Sequence, residues 1–378
     1  MSGIKAIKVI EIISDTNIGG AGVLLLNRLK YTDKQKYSTL VLLPSGSMLV
    51  PRLKYLGVRY REISGNADRS MDMRTVRKYV SVFKKIKPDI INAHGCLSAR
   101  IAAWLCCVPV KICTRHCVFP VGKISFARKK IMGALNSFLS DKFIAVAYAA
   151  KQNLIELGVN DSKIEVIING ADALRKIPDR ERAQIRKKLG IHRGSTVLCM
   201  CARLEKYKGH EWFFEAFRIL LDNGNDVYAI LIGDGSQREY FEGLCVQYGI
   251  MERVRFIGFV SDVSSYMNIV DINVNCSVGT ETSSLALSEG MSLGIPAVVS
   301  NYGGNPYMIE HGVNGLVCEC YDSRKMADHI FDLINDRELY RRMSLASRER
   351  FENELNAQEM TEKTNKLYDR LYDTYYRA

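Results

Sequence analysis

The sequence predicts an α/β protein of two doubly wound domains facing each other across a cleft. Three observations predict it. The 378-residue length suits two domains. A strand, glycine turn and helix opens the chain and recurs halfway along it. Between and after these openings, β-branched apolar runs alternate with helix-length segments, the pattern of parallel strands joined by helical crossovers.

The first opening is Lys8-Val-Ile-Glu-Ile-Ile-Ser14, followed by a polar turn ending in Gly19-Gly20 and a helical pattern from Val23. The second is Thr196-Val-Leu-Cys-Met-Cys201, a turn from Arg203 to Gly209, and an amphipathic helix over Glu211–Leu221 closed by Asn223-Gly224. Further strands are predicted near Thr39–Leu43, Ile90–Ala93, Val110–Cys113, Phe143–Ala147, Val227–Ile232, Ile269–Asn275 and Ile295–Ser300. The composition changes most between Gly170 and Gly194, around Pro178 and a helix over Glu181–Leu189. The expected division is therefore a Rossmann-like domain over 1–172 and a second over 173–357, with a helix at about 358–378 packing back onto the first. Open parallel sheets bind ligands beyond the carboxyl ends of their strands, so the functional residues are expected on post-strand loops.

Composition excludes several classes. With 47% hydrophobic and 25% charged residues the chain is an ordinary globular protein. Met1–Ile13 carries two lysines and a glutamate, which fits neither a secretory signal nor a membrane span, and no window supplies about 20 apolar residues. A cytoplasmic protein is expected. The eleven cysteines are expected as reduced thiols, and neither Cys199-x-Cys201 nor Cys318-x-Cys320 has zinc-site spacing. The formal charge of +12 is uneven, because Ile90–Ser140 contains no Asp or Glu but holds Arg100, Lys111, Arg115, Lys123, Arg128, Lys129 and Lys130. Such a face attracts anions: a phosphorylated or lipid-linked acceptor, an anionic membrane or nucleic acid, or it is simply solvated.

Two motifs carry chemistry. Ala202-Arg203-Leu204-Glu205-Lys206-Tyr207-Lys208-Gly209 follows a strand and precedes a helix, so Arg203 and Lys208 stand beside free backbone N–H groups and suit a diphosphate. In Gly279-Thr-Glu281-Thr-Ser-Ser-Leu-Ala-Leu-Ser-Glu289-Gly-Met-Ser-Leu-Gly294-Ile-Pro296, two carboxylates bracket a helix start. With an N-cap near Ser283, the N–H groups of Ser284 and Leu285 are placed to meet a phosphate. Glu289, among Leu285, Leu287, Met291 and Leu293, either faces water or needs a partner such as ligand hydroxyls.

The glutamate pair with seven residues between, followed by Met-Ser-Leu-Gly-Ile-Pro-Ala-Val-Val-Ser300 and Gly303-Gly304-Asn305, resembles the retaining GT-B glycosyltransferases of family 4, group 1. The resemblance extends over nearly the whole chain through Val166-Ile-Ile-Asn-Gly170, Arg203-x-x-x-x-Lys208-Gly209, Leu231-Ile-Gly233-Asp-Gly235, Phe256-Ile-Gly-Phe-Val260 and His311-Gly-Val-Asn-Gly-Leu-Val317. It implies the GT-B fold and a nucleoside-diphosphate sugar, a UDP-sugar, as donor. Arg203 and Lys208 would hold the diphosphate, Glu289 the ribose, Glu281 the donor sugar, and backbone near Gly233 and Val260 the nucleotide. Gly19 and Gly20 would lie close to the donor phosphate or the acceptor. His94, in Asn92-Ala-His-Gly95, resembles the family's active-site histidine, and Arg115 with His116 would face the acceptor. One departure concerns the donor-sugar fit: the family commonly has Phe-Gly after the first glutamate, and this chain has Thr282-Ser283.

No Asp-x-Asp motif lies on a post-strand loop, so neither a metal nor another cofactor is expected. The partners expected are the donor, a glycan or lipid-linked acceptor and an anionic membrane surface, without nucleic acid. Over Ile124–Leu139, Ala127, Ile131, Leu135 and Phe138 form one stripe beside Arg128, Lys129 and Lys130. A stripe of this kind more often faces a core, and otherwise lies peripherally on the inner face of the membrane. Two rival functions share the architecture: a sugar-nucleotide 2-epimerase, and a nucleotide-sugar-binding subunit without turnover.

Overall fold

A computed structural model describes residues 6–65, 70–118 and 126–377. The chain forms two compact units, residues up to Gly170 together with those from Ala357, and Ala171–Asn356. The second unit begins at Ala171 rather than 173 because the Ala171 N–H donates to the Leu355 carbonyl at 3.0 Å and Ala171 bridges Asn356.

The first unit contains seven parallel strands: β1 (Ile7–Ile13), β2 (Tyr37–Pro44), β3 (Arg59–Ile63), β4 (Ile90–His94), β5 (Val110–Arg115), β6 (Lys142–Ala145) and β7 (Ile164–Val166). Their order is β3-β2-β1-β4-β5-β6-β7. The direction of winding reverses between β1 and β4, so the loops after these strands border the crevice where a doubly wound sheet takes its ligand. Strand alternation supplies both faces of the sheet: Ile10, Ile12 and Leu42 enter one apolar cluster, and Ile13, Val41 and Leu43 the other.

The helix Ala357–Arg377 belongs to this unit. Polar contacts fix its register. Tyr37 Oη donates to Asp369 Oδ1 at 2.6 Å, Lys36 Nζ lies 2.6 Å from Asp369 Oδ2, and Tyr376 Oη donates to Asp89 at 2.7 Å.

The second unit contains β8 (Thr196–Cys201), β9 (Val227–Ile232), β10 (Val254–Gly258), β11 (Ile272–Asn275), β12 (Ala297–Ser300) and β13 (Gly315–Cys318), in the order β10-β9-β8-β11-β12-β13. Leu198 and Met200 pack on one face, Val197 and Cys199 on the other. Cys199 is a buried core residue, and all eleven cysteines are free thiols. The reversal here falls between β8 and β11, which places the Arg203–Lys208 and Ser277–Ser284 loops side by side.

Among the described residues no helix is long and apolar enough to cross a membrane. The helix Phe126–Leu139 turns Gly133 inward: a Cβ there would meet the Gly158 carbonyl at 1.9 Å. Its stripe is not core. Ile131, Leu135 and Phe138 are all more than half exposed, and Trp104 packs beside Phe138 at 5.2 Å between ring centroids. Lys123 and Ile124 lie outside the described residues, as do the side chains of Ala127 and Arg128.

Candidate functional site

In the second unit, the chain leaving β8 turns through a short 3-10 segment, Lys206–Lys208, and enters the helix His210–Asp222 through Gly209 at φ 78°. Only glycine suits this corner. A Cβ on Gly209 would sit 2.2 Å from the Cys276 carbonyl, so the loops after β8 and β11 touch through backbone. The Val278 N–H, donating to the Tyr207 carbonyl at 2.9 Å, ties them further.

This contact brings Lys208 and Glu281 together, with Nζ 2.8 Å from Oε2 and both side chains largely buried. The same Oε2 accepts from Ser277 Oγ at 2.7 Å, and Asn275 Nδ2 lies 3.4 Å away. Burial alone would raise the Glu281 carboxyl. The Lys208 ammonium, reinforced by these hydrogen bonds, outweighs it and holds the group below its ordinary value. Arg203 is exposed, with its guanidinium 5.6 Å from the centre of the Tyr207 ring, and Lys208 Nζ lies 5.8 Å from the same ring. Among the described residues the Arg203 guanidinium makes no ion pair or hydrogen bond, so one cation is pre-paired and the other is open to an anion.

The helix carrying the second glutamate spans Leu285–Ser292, and its N-cap is Ser284, one residue beyond the position expected. Ser284 Oγ accepts from the Leu287 N–H at 3.3 Å, and the Ser284 N–H points at the Met308 sulfur at 3.2 Å. Of the two N–H groups expected at a phosphate, the one on Leu285 heads the helix, whereas that of Ser284 is turned inward. The glycine pair Gly303-Gly304 sets this register: a Cβ on Gly304 would lie 1.4 Å from the Thr282 carbonyl, and one on Gly303 2.2 Å from that of Glu281.

Glu289 lies one turn into the helix, and its carboxylate makes no hydrogen bond or ion pair among the described residues. Burial, with Asp262 and Asp172 nearby, raises its carboxyl to about 7. An acid held in this way wants hydroxyl donors. Gly233, after β9, bridges Gly258 with its N–H 2.9 Å from that carbonyl, and Val260 packs half-buried on the next loop with Ile257, Val263 and Tyr266. Arg203, Lys208, Gly233, Val260, Glu281, Ser284, Leu285 and Glu289 therefore all belong to the second unit, on loops after β8, β9, β10 and β11 and the helix that follows.

In the first unit, Gly19 is the N-cap of the helix Gly20–Tyr31 after β1. His94 ends β4 and is buried, with Nδ1 2.6 Å from His116 Nε2 and Nε2 3.0 Å from Glu11 Oε2. Burial, then the neighbouring His94, holds His116 well below the usual imidazole range. Arg115 closes β5, and burial lowers it too. Sequence reasoning missed Glu11. Its signal was an acid flanked on both sides by isoleucines in a buried strand.

The model described as "Glycosyl transferases group 1" matches residues 181–350, and that described as "Glycosyltransferase Family 4" matches 18–175. The chain is 28% identical over 314 residues to an Escherichia coli enzyme named UDP-Gal:alpha-D-GlcNAc-diphosphoundecaprenol alpha-1,3-galactosyltransferase, covering 79% of each. It is 25% identical over 306 residues to the N-acetyl-alpha-D-glucosaminyl L-malate synthase of Bacillus anthracis, covering 79% of this chain and 78% of that one. Among solved structures, Anabaena HepE in complex with UDP and glucose superposes with a TM-score of 0.84 at 21% identity, over 96% of this chain and 99% of that one. That likeness fixes the fold as GT-B.

Proposed function

The chain belongs to the group 1 glycosyltransferases, and from that premise we propose that it transfers a sugar from a UDP-sugar to an acceptor hydroxyl with retention of anomeric configuration. The acceptor is a glycan or lipid-linked glycan, in the assembly of a cell-surface or exopolysaccharide polymer. The observation that carries this reading is the Lys208–Glu281 pair beside the open Arg203 guanidinium, at the reversal of the second sheet.

In the proposed reaction the bond from the sugar's anomeric carbon to the diphosphate breaks, and the acceptor oxygen bonds that carbon on the same face. The acceptor proton passes to an oxygen of the departing phosphate. Arg203 and Lys208 stabilise the charge that develops on the diphosphate, which leaves no step requiring a divalent cation. Glu281 holds Lys208 in place and faces the donor sugar, Glu289 accepts from the ribose hydroxyls, and backbone at Gly233, Val260 and Leu285 lines the nucleotide. In the first unit Gly19, Gly20 and His94 are assigned to the donor phosphate and sugar, and Arg115 and His116 to the acceptor, on the family resemblance.

A thermal-shift screen of UDP, UDP-glucose, UDP-galactose, GDP-mannose and ADP-glucose tests the donor class. A ligand at 100 times its dissociation constant adds about 2.7 kcal/mol to the folded state. UDP and at least one UDP-sugar are expected to raise Tm. A response confined to guanosine or adenosine nucleotides would refute the assignment.

The exposed stripe Ile131, Leu135 and Phe138, with Trp104 alongside and Lys130 exposed on the same helix, supports a peripheral membrane reading. Flotation is expected with phosphatidylglycerol vesicles and not with phosphatidylcholine alone. Loss of flotation in Ile131→Ser/Phe138→Ser would assign it to this helix, whereas unchanged flotation in that variant removes the helix from the reading.

A further inference from the structure

Glu11 lies in the middle of β1 with no solvent exposure, where an acid survives only if every charge and lone pair is answered. Its oxygens are divided. Oε1 pairs with the Arg28 guanidinium and accepts from Tyr368 Oη at 2.8 Å, while Oε2 faces His94 Nε2 at 3.0 Å. Burial would raise this carboxyl, but Arg28 and then His94 reverse the direction, so Glu11 is a carboxylate and can only accept.

The consequence passes outward through two rings. The His94 proton that faces Glu11 sits on Nε2, which makes Nδ1 the acceptor of a singly protonated ring. Nδ1 lies 2.6 Å from His116 Nε2, so the His116 proton sits on Nε2 in turn. The two ring planes lie within 14° of each other with 4.9 Å between centroids, so the rings meet edge to edge along this nitrogen–nitrogen contact, and a flip of either one would break it. Arg28 comes from the helix after β1, His94 from the end of β4, His116 from the segment after β5, and Tyr368 from the C-terminal helix. Residues 357 positions apart, Glu11 and Tyr368, thereby serve one carboxylate.

We propose that Glu11 is a positioning residue that fixes the tautomers and orientation of the His94–His116 pair, with Arg28 and the C-terminal helix residue Tyr368 as its two clamps. The catalytic consequence rests on the glycosyltransferase reading, since His94 ends β4 beside the reversal of the first sheet and His116 follows the neighbouring β5; the tautomers themselves do not. Where an acid orients a catalytic imidazole, removing its charge costs turnover through the wrong tautomer rather than through substrate binding.

Two measurements on the full chain separate these parts. Long-range proton–nitrogen spectra of histidine-labelled protein, assigned with His94→Gln and His116→Gln, should show both rings protonated on Nε2. In Glu11→Gln/Arg28→Met, which removes both buried charges together, His94 should populate both tautomers. UDP release from UDP-glucose or UDP-galactose, whichever donor the wild type turns over, should fall about tenfold or more in kcat with KM within about twofold. A variant that keeps a single Nε2 tautomer, or keeps the wild-type kcat, overturns the proposal. If the double variant does not fold, Tyr368→Phe keeps the charge pair; a lower kcat at constant KM then supports the proposal, and wild-type kcat overturns it. Absence of UDP release from the wild type with every donor would instead count against the glycosyltransferase reading, with the spectra still deciding the tautomers.

Discussion

Lys208→Ala is expected to lower turnover of the donor by roughly 10²–10³-fold, the usual loss when one pre-placed group stabilising transition-state charge is removed. It should also destabilise the second unit by about 2–3 kcal/mol, below the full cost of breaking a buried pair because Ser277 and Asn275 still serve Glu281. The pH dependence identifies the cause. In the wild type the folded Glu281 carboxyl lies below its ordinary value of 4.5, so its contribution is present above pH 4.5 and is lost as pH falls through the folded value. Without the ammonium, burial is left to push the folded carboxyl above its unfolded value. The variant then keeps this part of its stability only in acid and loses it as pH rises. The Tm difference between wild type and variant should therefore widen from pH 4 to pH 7. A constant difference would show that Lys208 does not hold the Glu281 charge, and turnover within tenfold of wild type would show that it does not stabilise the departing diphosphate. In Lys208→Met/Glu281→Gln both charges are absent, so stability should largely return while turnover does not.

That pairing shows where the sequence could be followed and where it could not. Strands buried on both faces declared themselves as apolar runs, and β8 and β9 have the boundaries that Thr196–Cys201 and Val227–Ile232 predict. The edge strand β3, Arg-Tyr-Arg-Glu-Ile, did not, because only Ile63 is buried and four of its five residues are polar or aromatic. Local chemistry pointed to Lys208 as an expected phosphate ligand and the family resemblance to Glu281 as an expected sugar ligand, each taken singly. Their ion pair spans 73 positions and exists because β8 and β11 are neighbours in the sheet, a fact of topology. Glu11 and His94, 83 positions apart, meet for the same reason on β1 and β4. The cap of the Leu285–Ser292 helix was ambiguous because Ser283 and Ser284 have the same side chain; the packing of Gly303-Gly304 against the Glu281 and Thr282 carbonyls decides it. Of the two fates open to the stripe on Phe126–Leu139, a core-facing one is excluded, because Gly133 turns the opposite face inward and leaves Ile131, Leu135 and Phe138 exposed.

Glu289→Gln should move stability and donor binding in opposite directions. The folded Glu289 carboxyl titrates at about 7, above its ordinary value of 4.5, because burial and then Asp262 and Asp172 disfavour the charge. A raised acid contributes its stability below pH 4.5 and loses it as pH climbs through about 7, so at pH 8 the unliganded protein carries an ionised, unpaired carboxylate. Glutamine keeps the shape and cannot ionise. Glu289 retains some solvent access, which reduces the penalty, so the variant should be more stable than wild type by about 2 kcal/mol at pH 8 and nearly equal to it at pH 4.5. UDP binding should change the other way. A carboxylate can accept from both ribose hydroxyls, whereas an amide oxygen offers neutral and weaker acceptance, so affinity at pH 8 should fall about tenfold, or about 1.4 kcal/mol. Denaturant unfolding gives the first quantity and calorimetric titration with UDP the second. A stabilised variant that binds UDP as tightly as wild type would leave Glu289 an internal strain without a ligand role. Equal stability at pH 8 would mean the carboxylate is already answered before any donor arrives. Higher stability with weaker binding is the pattern of a residue held at a cost to the fold because its partner is the ribose.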